Sequence, residues 1–444
     1  MAEPNIVLIT VDDATDTDLE YMPRTLRRLK RWGTEFRNGL ATHPLCGPAR
    51  AQLITGQYAQ DTNVWVNKGR FGGYDNLPDK DNTLAAWLQA AGYRTGLAGK
   101  FMNGYSQEFP VPAGWDRWRV TAPGAYKAFG FTVVREDGSS DRITDRYTAD
   151  WVADRAIAFA RAADPRPFFM WASFVAPHNM LVNGRWKAPV PAPRHANLFP
   201  DEEAPSTRKP SFNETDLTDK PDYLEERWED NVKERQSYNA LFRARIRSLQ
   251  AVDEGIARML DSVSPQVRRN TLWILTSDNG FLLGEHRMQG KNFPYEESLH
   301  VPLILRWQAG GIPTGVTTDR VGRLIDIPAT ILDAAGATAG RPQAGQSLLP
   351  IAKGPTDDLG EAVLIQGGSF FHDGPWAFQG VRKGRWKYVE HWQGQRELYD
   401  LTNDPFELAN LAGRRPAREA ELKADLDRLS ATAQTSAGPA QPLM

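Results

Sequence analysis

Short apolar runs rich in β-branched residues alternate with helical patterns along most of the chain. The apolar runs predict strands over Asn5–Val11, Arg94–Ala98, Pro167–Val175, Thr271–Thr276 and Val301–Trp307. The helical patterns cover Met22–Trp32, Pro48–Thr55, Thr83–Ala91, Tyr147–Ala162 and Arg235–Ser262. Because strands that alternate with helices are typical of βαβ units, the pattern predicts an α/β fold around a large, mostly parallel sheet.

One long segment interrupts this alternation. Residues Asn179–Glu234 hold seven prolines and little periodicity. Connections of this length are often lids or binding loops. We therefore interpret 179–234 as a loop insertion in the main domain and a candidate lid that sets substrate choice.

The pattern of strand-forming and turn residues changes near Ala362. Short aromatic and β-branched runs at Ala377–Arg382 and Trp386–Glu390 are separated by turn residues, and a polar helical pattern follows at Glu419–Ala431. These features predict a small C-terminal antiparallel sheet with one helix. The chain then divides into a main domain over 1–361 and a C-terminal α+β subdomain over 362–444, with a frayed tail over Gln434–Met444.

Composition limits the classes of function. The 444 residues are 41% hydrophobic and 24% charged with a net charge of −2, which is ordinary for a soluble protein and gives no basic field for nucleic acid or an anionic membrane. No apolar run has the length of a membrane span. The chain starts MAEPNIVLITVDD without a signal-peptide pattern. We expect a cytoplasmic protein, or a secreted or periplasmic one if a leader has been removed; the oligomeric state stays open.

Polar side chains follow four of the predicted strands. They are Asp12 and Asp13, Lys100, His178, and Asp278 with Asn279. Taken singly, each has an ordinary interpretation as a turn, a helix cap or a surface residue. Together they indicate one site, because ligands of open α/β sheets bind at the carboxyl ends of the strands.

The acidic members of this set predict a metal ion. Asp12, Asp13, Asp278 and Asn279 offer hard oxygen ligands, which suit Ca²⁺ or Mg²⁺ rather than zinc. No histidine cluster has zinc spacing and there is no second cysteine. We expect one divalent cation and favour Ca²⁺ over Mg²⁺.

The single cysteine lies in HPLCGPARAQLITGQY, where Pro48 suits the first turn of a helix. Cys46 would then lie at the N-terminus of the helix, where the dipole favours an anion, with Arg50 one turn later. Such a cysteine is expected to have a depressed pKa and raised reactivity. The alternative is that Cys46 is a small buried hydrophobic residue.

This segment resembles the signature of the type I sulfatases, Cys-x-Pro-[Ser/Ala]-Arg with a downstream Thr-Gly. Further blocks are similar to those of the family, in the same order: 4-PNIVLITVDD-13, 99-GKF-101, 176-APH-178, 276-TSDNGFLLGEH-286, 290-GK-291, 296-EESLHVPLI-304 and 397-ELYDLTNDPFELANL-411. The resemblance covers nearly the whole chain. It implies an alkaline-phosphatase-like α/β sandwich, with a large mixed, mostly parallel sheet flanked by helices.

The resemblance also implies a mechanism. A formylglycine-generating enzyme would oxidise Cys46 to Cα-formylglycine, whose hydrate is the nucleophile against a sulfate ester. Four residues match the metal ligands together with Cys46, namely Asp12, Asp13, Asp278 and Asn279. Arg50 would steady the formylglycine, and Lys100, His178 and Lys291 match residues that contact the sulfate oxygens. His286 is given a supporting role at the substrate.

One departure concerns the substrate. Simple arylsulfatases show Gly-Lys-x-His, whereas Met102 stands at the histidine position here, so His178 becomes the main candidate acid. The order 99-GKFMNGY-105 is similar instead to the N-acetylglucosamine-6-sulfatase and heparan endosulfatase branch, which implies a sulfated carbohydrate. The candidate sugar contacts are Asn103, Trp65, Tyr105 and Asn179. For the two aromatic residues, ordinary packing is the alternative.

Two other functions remain compatible with the sequence. Formylglycine-dependent phosphonate monoester or phosphodiester hydrolases share the Cys-x-Pro-x-Arg core, and their substrates share tetrahedral geometry with sulfate esters. The second of these alternatives is a non-catalytic sulfatase-like binding protein. It is expected to have lost a core residue, yet every core position is present.

Overall fold

The computed structural model describes residues 3–223, 233–356, 358–370 and 372–434. Its strands are β1 Asn5–Val11, β2 Thr34–Leu40, β3 Arg94–Gly99, β4 Arg117–Thr121, β5 Phe131–Arg135, β6 Ser140–Ile143, β7 Phe168–Ser173, β8 Met180–Val182, β9 Arg185–Lys187, β10 Thr271–Ser277, β11 Leu282–Leu283, β12 Gln289–Gly290, β13 Leu303–Arg306, β14 Val316–Arg323, β15 Val363–Gly368, β16 Trp376–Lys383, β17 Trp386–His391 and β18 Arg396–Asp400.

The α-helices of the described residues are α1 Asp16–Leu19, α2 Pro23–Arg28, α3 Cys46–Thr55, α4 Ala59–Thr62, α5 Leu84–Ala90, α6 Thr148–Ala160, α7 Arg235–Asp261, α8 Pro265–Arg269, α9 Glu296–Leu299, α10 Asp326–Ala335, α11 Leu349–Lys353 and α12 Pro416–Gln434. Short 3₁₀ turns lie at Lys30–Trp32, Tyr74–Asn76, Pro193–His195 and Pro205–Arg208. No helix in this part of the chain is both long enough and apolar enough to cross a membrane.

A ten-stranded sheet in the order β14-β2-β13-β10-β1-β7-β3-β4-β5-β6 forms the centre of the protein. The strands from β10 through β4 are parallel, whereas β13 and β5 pair antiparallel with their inner neighbours. The predicted mixed, mostly parallel sheet is therefore confirmed. The strand predicted at Val301–Trp307 is shorter, Leu303–Arg306, and runs antiparallel to β10.

Both faces of the sheet are covered, which makes the fold a sandwich. In β1, Ile6 and Leu8 pack into one apolar cluster with α3, α5 and α10, while Val7 and Ile9 pack into the other with α6 and α7. Successive side chains of a strand point to opposite faces. A strand covered on both faces must be apolar throughout, which explains the continuous run NIVLITV.

The C-terminal subdomain contains a four-stranded antiparallel sheet in the order β15-β16-β17-β18. Helix α12 packs on it through Leu422 and Leu426, which share a cluster with Leu364 and Val381. Tyr58 of the main domain belongs to the same cluster, so the subdomain is joined to the main domain by apolar contact. The predicted small sheet with one helix is confirmed, and the tail beyond Gln434 lies outside the described residues.

The helix predicted at Met22–Trp32 is interrupted. Helix α2 ends at Arg28, and a 3₁₀ turn follows over Lys30–Trp32. Gly33 then approaches the neighbouring strand so closely that a Cβ atom there would lie 2.3 Å from the Leu305 carbonyl oxygen. The chain has to leave the helical path early in order to enter β2.

The described part of the segment Asn179–Glu234 contains local secondary structure. It opens with a hairpin formed by β8 and β9 and continues through the 3₁₀ turns at Pro193–His195 and Pro205–Arg208. Residues 224–232 of the predicted lid lie outside the described residues. The lid therefore stays a prediction for the segment as a whole.

Candidate active site

Four neighbouring strands deliver their terminal residues to one edge of the sheet. Strands β10, β1, β7 and β3 lie side by side and run parallel. Their carboxyl ends lead to the following residues: Asp278 and Asn279, Asp12 and Asp13, His178, and Lys100. The predicted convergence is confirmed because these side chains are in mutual contact, as the following distances show.

Helix α3 presents Cys46 to this edge. The helix starts at Cys46 itself rather than at Pro48, with Leu45 extended as its N-cap, and it ends at Gly56 with φ of 69°. The Cys46 thiol donates to Asp12 Oδ1 at 3.4 Å and accepts from Lys291 Nζ at 2.8 Å. Every residue of the helix is buried, so its position relative to the sheet is fixed by packing.

Arg50 connects α3 with the floor of the site. Its Nε donates to Asp278 Oδ2 at 2.8 Å, and both side chains are 0% exposed. Its Nη1 donates to the carbonyl oxygens of Lys100 and Phe101 at 2.9 and 3.1 Å and to Ser173 Oγ at 2.9 Å. Arg50 therefore holds the ends of three strands and one helix together.

Buried charges of opposite sign alternate across the site. Lys100 Nζ donates to Asp12 Oδ2 at 2.6 Å and lies 3.8 Å from Asp278 Oδ2. Lys291 Nζ donates a hydrogen bond to Asp13 Oδ1. The carboxylates of Asp12, Asp13 and Asp278 are thus matched by the cations of Arg50, Lys100 and Lys291.

The pKa values follow from burial and these neighbours. Burial alone would raise the pKa of Asp12, but Lys100 and His178 outweigh it and hold that pKa below its ordinary value. For Asp13 the burial effect is outweighed by His178 and Lys291, and its pKa is also lowered. The two aspartates are therefore ionised at neutral pH.

The thiol behaves differently from the sequence expectation. Burial, with a further contribution from Asp12, raises the pKa of Cys46 to about 12. The predicted depressed pKa is wrong, because the helix N-terminus lies inside the protein next to a carboxylate. Cys46 is therefore a protonated thiol at neutral pH, and its reactivity stays a prediction.

The site fits a divalent cation. Ligand atoms of Asp12, Asp13, Cys46 and His178 lie within 4.8 Å of one another. Asn279 Nδ2 donates to Asp13 Oδ1 at 2.7 Å, which leaves the buried Asn279 Oδ1 without a hydrogen-bond partner. A buried carbonyl oxygen without a partner beside carboxylates is the arrangement that a hard cation satisfies.

His178 has one nitrogen fixed by the backbone. Its Nδ1 lies 2.6 Å from the carbonyl oxygen of Asn179, and its Nε2 lies 3.6 Å from Asp13 Oδ2. Because the carbonyl oxygen can only accept, Nδ1 carries the hydrogen and Nε2 faces the cluster. Burial lowers the pKa of His178, although Asp13 opposes this effect.

Among the predicted sugar contacts, the two asparagines lie beside the cluster. Asn103 Nδ2 donates to the hydroxyl of Tyr126 at 2.9 Å, and the Tyr126 ring lies 4.4 Å from the His178 ring. Asn179 contacts His178 through its backbone carbonyl. Tyr126 itself was not predicted, because it lies in an irregular segment without a recognisable motif.

The side chains of the other three predicted substrate-binding residues contact residues outside the cluster. Tyr105 packs among core aromatic rings and accepts from Trp118 Nε1 at 3.2 Å. Trp65 is 5% exposed and lies edge-on to His43. His286 stacks on Tyr295, and its Nδ1 lies 2.6 Å from Glu214 Oε2. The substrate-binding roles of these three residues therefore stay predictions.

Comparison with known families agrees with this site. The family model described as Sulfatase matches residues 4–337, and a second, described as N-sulphoglucosamine sulphohydrolase, C-terminal, matches residues 284–433. The first match covers well over half of the chain. The protein therefore belongs to the sulfatase family.

Three curated relatives span a range of lengths. The chain is 32% identical to the putative extracellular sulfatase Sulf-1 homolog of Caenorhabditis elegans, over 79% of this chain and 49% of the relative. It is 31% identical to an arylsulfatase of Volvox carteri, over 92% and 71%. It is 27% identical to the N-acetylglucosamine-6-O-sulfatase of Bacteroides thetaiotaomicron, over 93% and 83%. The chain thus spans about half the length of the nematode relative.

Solved structures share the fold over nearly the whole chain. A structure described in complex with its substrate D-glucosamine-2-N,6-O-disulfate superposes with a TM-score of 0.81 at 23% identity, covering 98% of both chains. The phosphonate monoester hydrolase of Agrobacterium radiobacter superposes with a TM-score of 0.70 at 20% identity, covering 97% of this chain and 96% of that one. The fold is therefore common to proteins named for different reactions.

Proposed function

We propose that this protein is a sulfatase that hydrolyses a sulfate ester of a carbohydrate through a formylglycine made from Cys46. The observation that carries the proposal is the position of Cys46. It is the first residue of a buried helix, and its side chain contacts both Asp12 and Lys291. A family signature cysteine that faces a complete set of carboxylates and cations favours catalysis over a binding role.

A divalent cation would be held by Asp12, Asp13, Asp278 and Asn279, and it would stabilise negative charge on oxygen. We favour Ca²⁺, because it accepts irregular sets of hard oxygen ligands whereas Mg²⁺ demands near-ideal octahedral geometry. The formylglycine, formed by a separate formylglycine-generating enzyme, supplies the nucleophilic oxygen at position 46.

The lysines bind and orient the anionic group. Lys291 Nζ lies 2.8 Å from the side-chain atom at position 46, and Lys100 lies on the other side of the cluster against Asp12. Lys100 is buried, Lys291 is largely buried, and both ammonium groups are positively charged, so they can donate to sulfate oxygens without rearrangement. A divalent cation added to these balanced side-chain charges would give the site a net positive charge that suits a sulfate ester.

His178 is the candidate acid for the leaving alcohol. The carbonyl of Asn179 orients the ring, so Nε2 is the nitrogen that faces the cluster. In its imidazolium form the ring also carries a proton on Nε2, next to Asp13, and that proton would pass to the alcohol oxygen as the bond to sulfur breaks. Arg50 positions Asp278 and α3 and would not touch the reacting atoms.

Two observations support a sugar as the alcohol. The Bacteroides thetaiotaomicron relative is named as an N-acetylglucosamine-6-O-sulfatase, and the segment 99-GKFMNGY-105 is similar to that branch. Asn103, at the fifth position of this segment, donates to the hydroxyl of Tyr126, and the Tyr126 ring packs against the His178 ring. A 6-sulfated N-acetylglucosamine is therefore the first substrate to test.

The test compares a 6-sulfated N-acetylglucosamine, a phosphate diester and a phosphonate ester on one preparation. The conversion of Cys46 is quantified by mass spectrometry of its peptide, and Cys46→Ala is the inactive control. We expect the sulfate ester to have the highest kcat/KM and the variant to be folded without turnover. A preference for the phosphonate or diester, or activity in Cys46→Ala, would reject the proposal.

A further inference from the structure

We infer that Trp186 and Tyr126 form a binding surface for the sugar ring that carries the sulfate. The inference rests on the proposed function and names the part of the protein that recognises the alcohol. It concerns a hairpin that immediately follows His178, formed by β8 and β9. The aromatic sugar contacts predicted from the sequence were Trp65 and Tyr105 instead.

The hairpin is a defined local structure. Its turn residues Asn183 and Gly184 have φ of 49° and 75°, as the Asn-Gly type I′ turn requires. Its first strand is anchored, because Met180 is 2% exposed in the core and the Leu181 amide donates to the Tyr126 carbonyl at 2.7 Å. The second strand, β9, pairs only with β8 among the described strands and is exposed along its length.

A continuous row of side chains leads from the anion-binding residues to solvent through this hairpin. Lys100 Nζ lies 4.9 Å from the centre of the Tyr126 ring, which lies 4.4 Å from the ring of His178. The Trp186 ring lies 5.2 Å from Tyr126 and 5.6 Å from His178. Any group attached to a sulfate held between Lys100 and His178 therefore meets Tyr126 and Trp186 next.

The exposure of Trp186 indicates a ligand. The indole is 56% exposed, the largest exposed fraction among the exposed large hydrophobic side chains of the described residues. Aromatic side chains at the mouth of a polar site provide apolar area for a ligand at a small entropic cost. The apolar face of a pyranose ring has the flat shape and the C–H groups that an indole can cover.

A polar group completes the surface. Asn103 Nδ2 is used by the Tyr126 hydroxyl, while Asn103 Oδ1 is buried and has no hydrogen-bond partner. Buried polar atoms normally have a partner, so this oxygen is suited to accept from a sugar hydroxyl or amide. An aromatic surface with an adjacent hydrogen-bond acceptor is what a sugar ring requires and a simple alkyl sulfate does not use.

Alternation along β9 supplies a matched control. Arg185 and Lys187 point to the opposite face from Trp186, because side chains alternate along a strand. Neither residue has an ion-pair or ring contact in the described part of the chain. Arg185→Ala therefore changes the same exposed strand without touching the surface formed by Trp186 and Tyr126.

The experiment measures kcat and KM for 6-sulfated N-acetylglucosamine and inhibition by inorganic sulfate, in the converted enzyme. We expect Trp186→Ala to lower kcat/KM by about tenfold or more, mainly through KM, with Trp186→Phe in between. Arg185→Ala should stay close to wild type, and inhibition by inorganic sulfate should be unchanged in all variants. Unchanged kcat/KM in Trp186→Ala, or an equal loss of sulfate inhibition, would overturn the inference.

A binding measurement separates this inference from the proposed function. If the wild type hydrolyses no sulfate ester, the proposed function fails. Calorimetry with the same sugar sulfate and protein that retains Cys46 then decides on the surface. Weaker binding by Trp186→Ala but not by Arg185→Ala would support it, whereas equal binding, or no binding by the wild type, would overturn it.

Discussion

Lys291 joins Cys46 to Asp13, because its ammonium group donates one hydrogen bond to the thiol at 2.8 Å and another to the carboxylate. A largely buried cation thus lies where charge would develop on a substrate. Lys291→Met keeps the length of the side chain and removes the cation. We expect kcat for a sulfate ester to fall by about 10²- to 10³-fold, the typical effect of losing one preorganised donor. Steady-state kinetics would contradict this role if only KM changed.

The raised pKa of the Cys46 thiol, about 12, has a direct consequence for unconverted protein. Only a small fraction of thiolate exists at pH 8, and the side chain is 0% exposed. We expect iodoacetamide to leave Cys46 unmodified in the native protein and to alkylate it in denaturant, as read by peptide mass spectrometry. Rapid alkylation of the native protein would show that the thiol is accessible and ionised.

The buried pair of Arg50 and Asp278 is expected to be important for stability. Removal of one partner from a buried pair leaves an uncompensated charge and costs about 3–5 kcal/mol. Arg50→Met should lower the free energy of unfolding by about that amount in urea titrations with a chelator present. The control is Arg28→Met, because Arg28 pairs with Asp261 at the surface and such pairs contribute about 0–1 kcal/mol. Equal losses of unfolding free energy in Arg50→Met and Arg28→Met would contradict the importance of the buried pair for stability.

Binding of the cation can be tested through Asp13. This residue has φ of 72°, a conformation that asparagine tolerates nearly as well as aspartate. Asp13→Asn therefore removes one carboxylate charge without backbone strain. A ligand at about 100 times its Kd stabilises the native state by about 2.7 kcal/mol. We expect Ca²⁺ to raise the Tm of the wild type over a chelator-treated sample, and this increase to shrink in the variant. An equal increase in both proteins would place the cation elsewhere.

Glu407, in the closing motif of the C-terminal subdomain, predicts a dependence of stability on pH. Burial raises the pKa of Glu407 from 4.5 to about 7, and Lys387 offsets only part of this effect. The native state thus keeps a proton that the unfolded chain releases. The stabilisation of the native state by this proton on Glu407 is fully present below about pH 4.5 and is lost as the pH rises through 7.

The variant Glu407→Gln carries no charge at any pH, and its amide oxygen can still accept from the Glu296 amide. Relative to wild type, its free energy of unfolding should increase by about 3 kcal/mol between pH 4.5 and 8. Urea titrations at several pH values measure this difference. A flat difference between Glu407→Gln and wild type across this pH range would contradict the raised pKa of Glu407.

The sequence predicted the parts of the fold that are apolar on both faces. Strands such as Thr271–Ser277 read as continuous apolar runs, because burial on both faces leaves no polar position. Strand β2, TEFRNGL, was missed, since its mixed composition resembles a loop although it lies inside the sheet. The hairpin turn at Asn183–Gly184 was also missed, although the dipeptide Asn-Gly is a strong hairpin signal.

The candidate site was predictable to the extent that strand ends define it. Asp12, Asp13, Lys100 and Asp278 follow apolar runs directly, so their convergence follows from parallel pairing. Tyr126 was not predictable, because its place beside His178 depends on how an irregular segment folds back across the sheet edge. The thiol pKa likewise depends on tertiary burial, which overrides the local preference of a helix N-terminus.

The complete burial of α3 sets an order of events in the life of each molecule. Cys46 has no exposed surface, and its neighbours on the helix are equally enclosed. If Cys46 is converted as proposed, the oxidising enzyme would have to reach it before α3 is buried, so modification and folding would compete for the same polypeptide. A molecule that folds first would then keep its cysteine and be inactive, and the active fraction of a preparation would record which process was faster.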